Sequence, residues 1–265
     1  MTEKAELHEW GRTLYAARRD RDPIPPITDA EPALTPADAY AIQKELVALL
    51  LRDGGSVVGY KLGLTSKPMQ ELLGVDQPDY GPVLSSMVFD DGTTLPTGSF
   101  IQPKAEAEIA LTLERPLRGP NVRVQQAAEA IGGARAAIEV VDSRIRDWKI
   151  KLIDTIADLA SSAAIVLGRD VVPIAGWKPR LVGMVVARNG EMLATGAGAA
   201  ALGDPVHAVA WLANTLAPFG VTLEPGHFVM TGALHAAFPV LGGDVVRAEF
   251  DRLGTVTARF EEDRS

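Results

Sequence analysis

A chain of 265 residues, 47% of them hydrophobic, holds enough apolar material for one substantial core and a small accessory unit. A net charge of −8 argues against a nucleic-acid binder, which carries a basic face, and the absence of cysteine excludes disulfides, thiolate metal sites and cysteine nucleophiles. The charged start Met1-Thr2-Glu3-Lys4-Ala5-Glu6 lacks the apolar stretch of a secretory signal, and no apolar run reaches the ~18 residues of a membrane span, so a cytoplasmic protein without a membrane partner is expected.

Leu7, Trp10, Leu14 and Ala17 recur at helical spacing and predict an amphipathic first helix that ends in Arg18-Arg19-Asp20-Arg21-Asp22. Pro23-Ile24-Pro25-Pro26 then reads as an extended connector. A second helix follows, with Thr35 as N-cap, Pro36 in the first turn and Asp38 as the capping acid. Its apolar residues Ile42, Leu46, Leu49 and Leu50 share a side, and Gly54-Gly55 ends it. Residues 1–55 thus read as an N-terminal helical subdomain, and 56–265 as a second, strand-rich unit. In that unit 57–63 and 105–113 are short apolar or alternating runs, and 181–187 and 191–194 flank the hairpin signal Asn189-Gly190. A second hairpin joins 245–250 to 255–260, and helices are expected at 124–131 and from Asp204-Pro205 to near Pro218. Strands dominate without regular strand–helix alternation, which favours an α+β fold.

The chemistry concentrates in Pro103-Lys104-Ala105-Glu106-Ala107-Glu108-Ile109-Ala110-Leu111-Thr112-Leu113. On a strand Glu106 and Glu108 share a face, while Ala107, Ile109 and Leu111 take the other. A third acid, Glu139, lies in the apolar run Ala136-Ala137-Ile138-Glu139-Val140-Val141-Asp142. Carboxylates among such neighbours are costly unless something positive lies between them. If the two strands are adjacent the three acids converge, and an all-oxygen set suits a hard divalent cation with positions open to water or substrate. Lys104, Arg135 and Arg144 are the charge partners that would serve instead, and a water-facing strand is the plain alternative. The favoured reading is a metal-dependent enzyme acting on a small 2-oxo acid.

Lys61, in Gly59-Tyr60-Lys61-Leu62-Gly63-Leu64-Thr65-Ser66, either aims a cation at a substrate carboxylate or enolate or snorkels to the surface. Asp76-Gln77-Pro78-Asp79-Tyr80-Gly81 is rich in turn formers, and Asp79 is placed to orient a water or a lysine if this loop covers a pocket. Asp142-Ser143-Arg144-Ile145-Arg146-Asp147-Trp148 and Asp154-Thr155-Ile156-Ala157-Asp158-Leu159-Ala160-Ser161-Ser162 read as turn and capping chemistry, with Asp154 capping a short helix. The functional alternative has Ser161 and its backbone N–H holding a carboxylate. Gly196-Ala197-Gly198 matches a dinucleotide fingerprint only superficially, because no βαβ unit surrounds it. His8, His207, His227 and His235 show no metal-ligand spacing; His235, after Thr231-Gly232-Ala233-Leu234, is the one to watch.

Taken in order, the segments at Gly59–Ser66, Gly74-Val75-Asp76-Gln77-Pro78-Asp79-Tyr80-Gly81, Ile101-Gln102-Pro103-Lys104-Ala105-Glu106-Ala107-Glu108-Ile109-Ala110 and Ile138-Glu139-Val140-Val141-Asp142-Ser143-Arg144-Ile145 resemble one family. It is the 2-keto-4-pentenoate hydratase / 4-oxalocrotonate decarboxylase family, within the fumarylacetoacetate hydrolase superfamily, and the likeness runs from about Trp10 to the end. The resemblance implies a mixed β-sheet roll as the catalytic domain behind a small helical subdomain, assembled as a homo-oligomer. It implies Mg²⁺ or Mn²⁺ held by Glu106, Glu108 and Glu139, with Lys61 and Asp79 in the acid–base machinery. Leu64, Thr65, Ser66, Ser161 and Thr231 are implied as substrate-binding positions.

The activity implied is addition of water to 2-hydroxypenta-2,4-dienoate or an alkyl analogue, giving a 4-hydroxy-2-oxo acid in aromatic or sterol catabolism. A pathway decarboxylase or aldolase is the implied partner in a complex. The alternatives are decarboxylation of a 2-oxo-3-enedioate such as 4-oxalocrotonate, hydrolysis of an acylpyruvate, and a non-catalytic partner subunit. Asp147-Trp148 looks like the hydratases, since decarboxylases more often show Asn-Phe there. Leu159 stands where members usually have Asn before Ala-Ser-Ser, and His235 where hydratases more often have Thr.

Overall fold

In a computed structural model that describes residues 4–262, helix α1 (Lys4–Asp20) buries Leu7, Leu14 and Ala17, as its spacing predicts. The start Met1-Thr2-Glu3 and the last three residues of the strand-rich unit lie outside the described residues. Beyond the proline link comes a one-turn helix, α2 (Ile27–Ala30), that the sequence pattern does not signal. Helix α3 (Pro36–Arg52) has the expected reciprocal cap: the Asp38 N–H donates to the Thr35 hydroxyl at 3.3 Å, and the Thr35 N–H donates to the Asp38 carboxylate at 2.9 Å.

The remaining elements are β1 (Val57–Gly63), α4 (Lys67–Leu73), β2 (Asp79–Leu84), β3 (Val88–Asp90), β4 (Thr94–Leu95), β5 (Lys104–Leu113), α5 (Val124–Ala130) and β6 (Ile131–Val141). Then come α6 (Leu152–Ala157), β7 (Ser162–Leu167), β8 (Gly183–Arg188), β9 (Glu191–Ala197), α7 (Pro205–Leu216), β10 (Phe228–Met230), β11 (Phe238–Pro239), β12 (Val245–Phe250) and β13 (Gly254–Phe260). Both expected hairpins form. Asn189 and Gly190 turn the first with φ of 53° and 85°, the left-handed pair that a tight hairpin requires. The turn-rich stretch around Asp79 departs from expectation, because its turn ends at Pro78 and Asp79 opens strand β2.

One sheet has the order β2-β1-β10-β5-β6-β7-β3, with β11 also pairing β5, and the second has the order β4-β13-β12-β8-β9. The β1–β10, β3–β7 and β4–β13 pairs are parallel and the others antiparallel, so the fold is the mixed α+β arrangement expected. Ile109, Leu111, Ile138, Val186, Val246, Val256 and the α7 residues Val209 and Leu212 belong to one continuous core. A separate cluster joins Leu14, Ile27, Ile42 and Leu46 to Ile145, Ile156 and Leu159. The N-terminal helices therefore do not bury a core of their own: they close over residues 145–159, which carry one wall of the site.

Candidate active site

Strands β5 and β6 run antiparallel with Glu106 opposite Glu139 and Glu108 opposite Ala137. Strand alternation keeps Glu106 and Glu108 on one face, and a carboxylate oxygen from each of Glu106, Glu108 and Glu139 lies within 4.8 Å of the others. Glu108 is 1% exposed, Glu139 fully buried and Glu106 half-buried, which removes the water-facing alternative for Glu108 and Glu139. Glu108 Oε2 accepts the Gly232 N–H at 2.8 Å, while Glu108 Oε1 and both Glu139 oxygens have no hydrogen-bond partner among the described residues. Buried oxygens are seldom left so. All-oxygen and convergent, with three oxygens outside any hydrogen bond, this donor set fits a hard divalent cation.

The positive charge beside these acids is Lys61, whose Nζ lies 3.5 Å from Glu139 Oε2 and donates to the Ala160 carbonyl at 2.8 Å. Arg144 instead pairs with Asp158, and Lys104 sits 4.1 Å over the Trp148 ring. Burial would lower the Lys61 pKa, but Glu139, Glu106, Asp79 and Glu108 together outweigh it and hold the ammonium above its ordinary value. Burial pushes Glu106 up to about 7, opposed by Lys61 and reinforced by Glu139. Glu108 rises well above the usual carboxylate range through burial, then Glu139 and Glu106. Asp79 faces Gly63 across the β1–β2 ladder, its Oδ2 accepting the Thr155 hydroxyl at 3.3 Å and its Oδ1 unpartnered. Burial raises its pKa too, against the pull of Lys61.

The turn after α6 is held in an unusual shape. Leu159, Ala160 and Ser161 have φ of 56°, 49° and 58°, a left-handed run in which each side chain costs roughly 1–2 kcal/mol. Buried Arg144 braces it: its Nε donates to the Asp158 carboxylate, its backbone N–H to the same group at 2.9 Å, and Nη2 to the Asp158 carbonyl at 2.7 Å. The shape aims the Ala160 carbonyl at Lys61. The Ser161 N–H donates to the Asp158 carbonyl at 2.8 Å, so the part of Ser161 left unpartnered is its buried Oγ, not the backbone N–H. Gly81 lets β2 pass this turn, because a Cβ there would collide with the Leu159 carbonyl.

Lys61, Leu64, Thr65, Ser66, Asp79, Glu106 and Ser161 line one cavity of about 400 Å³. Thr231 does not: it is fully buried and its hydroxyl donates to the Ile109 carbonyl at 2.8 Å. Met69, Trp148, Ile150, Ala233 and Ala237 form an apolar wall, with Lys104 and His235 beside it. His235 Nδ1–H donates to the Ala236 carbonyl at 2.7 Å and Nε2 accepts the Ala107 N–H at 2.8 Å, so neither ring nitrogen is free to act as a base. Sequence reasoning missed Thr155 as the partner of Asp79, and nothing in a lone threonine of a short helix signals that role. A second cavity, about 300 Å³, lies between α1, α3 and β3 and contains none of the three acids.

The family model for the fumarylacetoacetate (FAA) hydrolase C-terminal region matches residues 66–261. The chain is 38% identical to a 2-hydroxyhexa-2,4-dienoate hydratase of Comamonas testosteroni, over 99% of this chain and 100% of that protein. It is 43% identical to a 2-keto-4-pentenoate hydratase of Burkholderia vietnamiensis, again over 99% and 100%. Among solved structures, 4-oxalocrotonate decarboxylase from Pseudomonas putida G7, complexed with magnesium and adipate, superposes with a TM-score of 0.95 at 35% identity over 98% of this chain and 99% of that one.

Proposed function

Because the chain belongs to the fumarylacetoacetate hydrolase family, we propose that it is a metal-dependent hydratase that adds water to a 2-hydroxy-2,4-dienoate. The observation that carries this reading is the convergence of Glu106, Glu108 and Glu139, with unpartnered oxygens on Glu108 and Glu139, beside a pocket lined by Glu106, Lys61 and Asp79. Mg²⁺ or Mn²⁺ held by these acids would supply a Lewis acid that stabilises negative charge on a 2-oxo oxygen.

The chain's own groups divide the remaining work. Lys61, kept charged by its carboxylate neighbours, offers a fixed cation to the substrate carboxylate or to an enolate. The Ser161 hydroxyl and the residues at Leu64, Thr65 and Ser66 border the same space and receive the carboxylate end. Asp79, with one free oxygen and a pKa raised by burial, holds or moves a proton. The dienol passes its hydroxyl proton to C5 to become a 2-oxo-3-enoate; water then adds with OH at C4 and H at C3, giving a 4-hydroxy-2-oxo acid. No protein nucleophile is needed, in keeping with a histidine whose two nitrogens are already engaged.

A second reading, decarboxylation of a 2-oxo-3-enedioate, draws on Lys104, a cation on the pocket wall suited to a second carboxylate. The hydratase is preferred because the rest of that wall is apolar and the named hydratases are 38% and 43% identical to this chain, against 35% for the decarboxylase. The test supplies Mn²⁺ or Mg²⁺ with 2-hydroxypenta-2,4-dienoate and, separately, 2-oxo-3-hexenedioate. Loss of dienoate absorbance with formation of 4-hydroxy-2-oxopentanoate and no CO₂ is expected. CO₂ release from the diacid without hydration of the dienoate would replace this reading by the second.

A further inference from the structure

Strand β5 loses its partner where its acids are. Along that edge β10 pairs with residues 110–112 and β11 with 104–105, leaving Ala107 and Ile109 facing the loop that joins the two short strands. Each buried backbone group in such a gap needs a substitute partner. The Ile109 carbonyl accepts the Thr231 N–H at 3.3 Å, and the Ala107 carbonyl accepts the Leu234 N–H at 3.1 Å. The Ala107 N–H has no carbonyl opposite it and is taken by His235 Nε2 at 2.8 Å. The imidazole is held in the orientation this bond needs, since its Nδ1–H is committed to the Ala236 carbonyl at 2.7 Å and its ring lies on Phe238 with centroids 5.6 Å apart. The same ring borders the pocket.

We propose that His235 is a positioning residue that stands in for the missing strand at Ala107, so that Glu106 and Glu108 on either side hold their places opposite Glu139, while its ring sets the width of the pocket beside the apolar wall. The inference rests on the reading of these acids as metal ligands. Loss of the imidazole leaves the Ala107 N–H without a partner and lets β5 flex between the two carboxylates, and such supporting contacts are worth about 10–100-fold in metal affinity. Glutamine at this position can return an acceptor oxygen to the N–H without restoring the ring.

The test compares His235→Ala and His235→Gln with the parent chain by amide exchange at Ala107, Mn²⁺ titration, and kcat and KM on 2-hydroxydienoates of increasing alkyl length. In His235→Ala the Ala107 amide should exchange at least about tenfold faster and Mn²⁺ bind about tenfold more weakly. In His235→Gln protection and Mn²⁺ affinity should return to within about threefold of the parent. The preference for longer tails should stay altered in both variants, seen mainly in KM. An Ala107 amide as protected in His235→Ala as in the parent, with unchanged Mn²⁺ affinity, overturns the proposal. Failure of the parent chain itself to bind Mn²⁺ would instead remove the metal reading, while the exchange result still tests the His235–Ala107 contact separately.

Discussion

On one side of the pocket Lys61 and Glu106 project from strands β1 and β5 of a single sheet, with Glu139 of β6 behind them, held opposite Glu106 by the β5–β6 ladder. On the other side Met69, Trp148, Ile150, Ala233 and His235 stand on the short helix α4 and on segments outside the strands, two of which contain left-handed residues, Trp148 at φ 55° and Gly232 at φ 112°. The charged side is rigid and electrostatically frustrated; the apolar side is shaped by local bracing. On the proposed reading, such a division would let the fold keep its reaction while the wall facing the substrate tail changes. Gly232 ties the sides together, since a Cβ there would overlap Thr65.

The bracing is the easiest part to break. Arg144→Met removes the guanidinium that holds Asp158 and the turn behind it, and should destabilise the chain by about 3–5 kcal/mol, read by urea unfolding. A loss below ~1 kcal/mol would show that the turn keeps its shape unaided. Next in size, Glu108→Gln should weaken Mn²⁺ binding and turnover by about 100-fold, ~2.7 kcal/mol, without lowering the melting temperature of the metal-free chain. Unchanged Mn²⁺ affinity in that variant takes Glu108 out of the ligand set.

A third prediction concerns pH. With its folded pKa pushed up to about 7, Glu106 favours the metal-free fold most when protonated, below the ordinary carboxylate range of ~4.3, and that contribution is lost as pH rises toward 7. Cation binding needs the ionised form, and Glu108 is raised as well, so Mn²⁺ affinity should fall at least about tenfold per pH unit below 7, and the melting increment from Mn²⁺ should grow from pH 5.5 to 8. A flat increment would mean that Glu106 does not titrate there. Smallest, Trp148→Ala should change kcat/KM by about tenfold in a tail-dependent way with Mn²⁺ affinity preserved. A drop in Mn²⁺ affinity as large as that of Glu108→Gln would erase the division between the two sides.

The strand side is legible from residues alone. Period-two spacing puts Glu106 and Glu108 on one face, and the apolar run around Glu139 marks it as a buried acid. The Thr35 cap and the Asn189-Gly190 hairpin are equally plain, because each is set within a few residues. The bracing is not legible. Leu159, Ala160 and Ser161 adopt a conformation that side chains ordinarily avoid, and what holds them there is Arg144, distant in sequence from the turn it shapes. Gln77-Pro78 suggest a turn at Asp79, yet pairing with β1 draws that residue into a strand. Proximity along the chain suggests Lys104, Arg135 and Arg144 as partners of the acids, whereas only the sheet order brings Lys61 to Glu139.

The placing of Glu106 directly across from Glu139 bears on how the sheet assembles. Like charges set opposite each other oppose the pairing of their strands, and a slip of one residue would turn both β5 acids to the other face. The native alignment of β5 on β6 is therefore the one in which the three carboxylates meet, and a cation that prefers all three rewards that alignment over its neighbours. On the proposed metal reading, a divalent cation present during refolding would act as a proofreader, favouring the one register in which its own ligands meet.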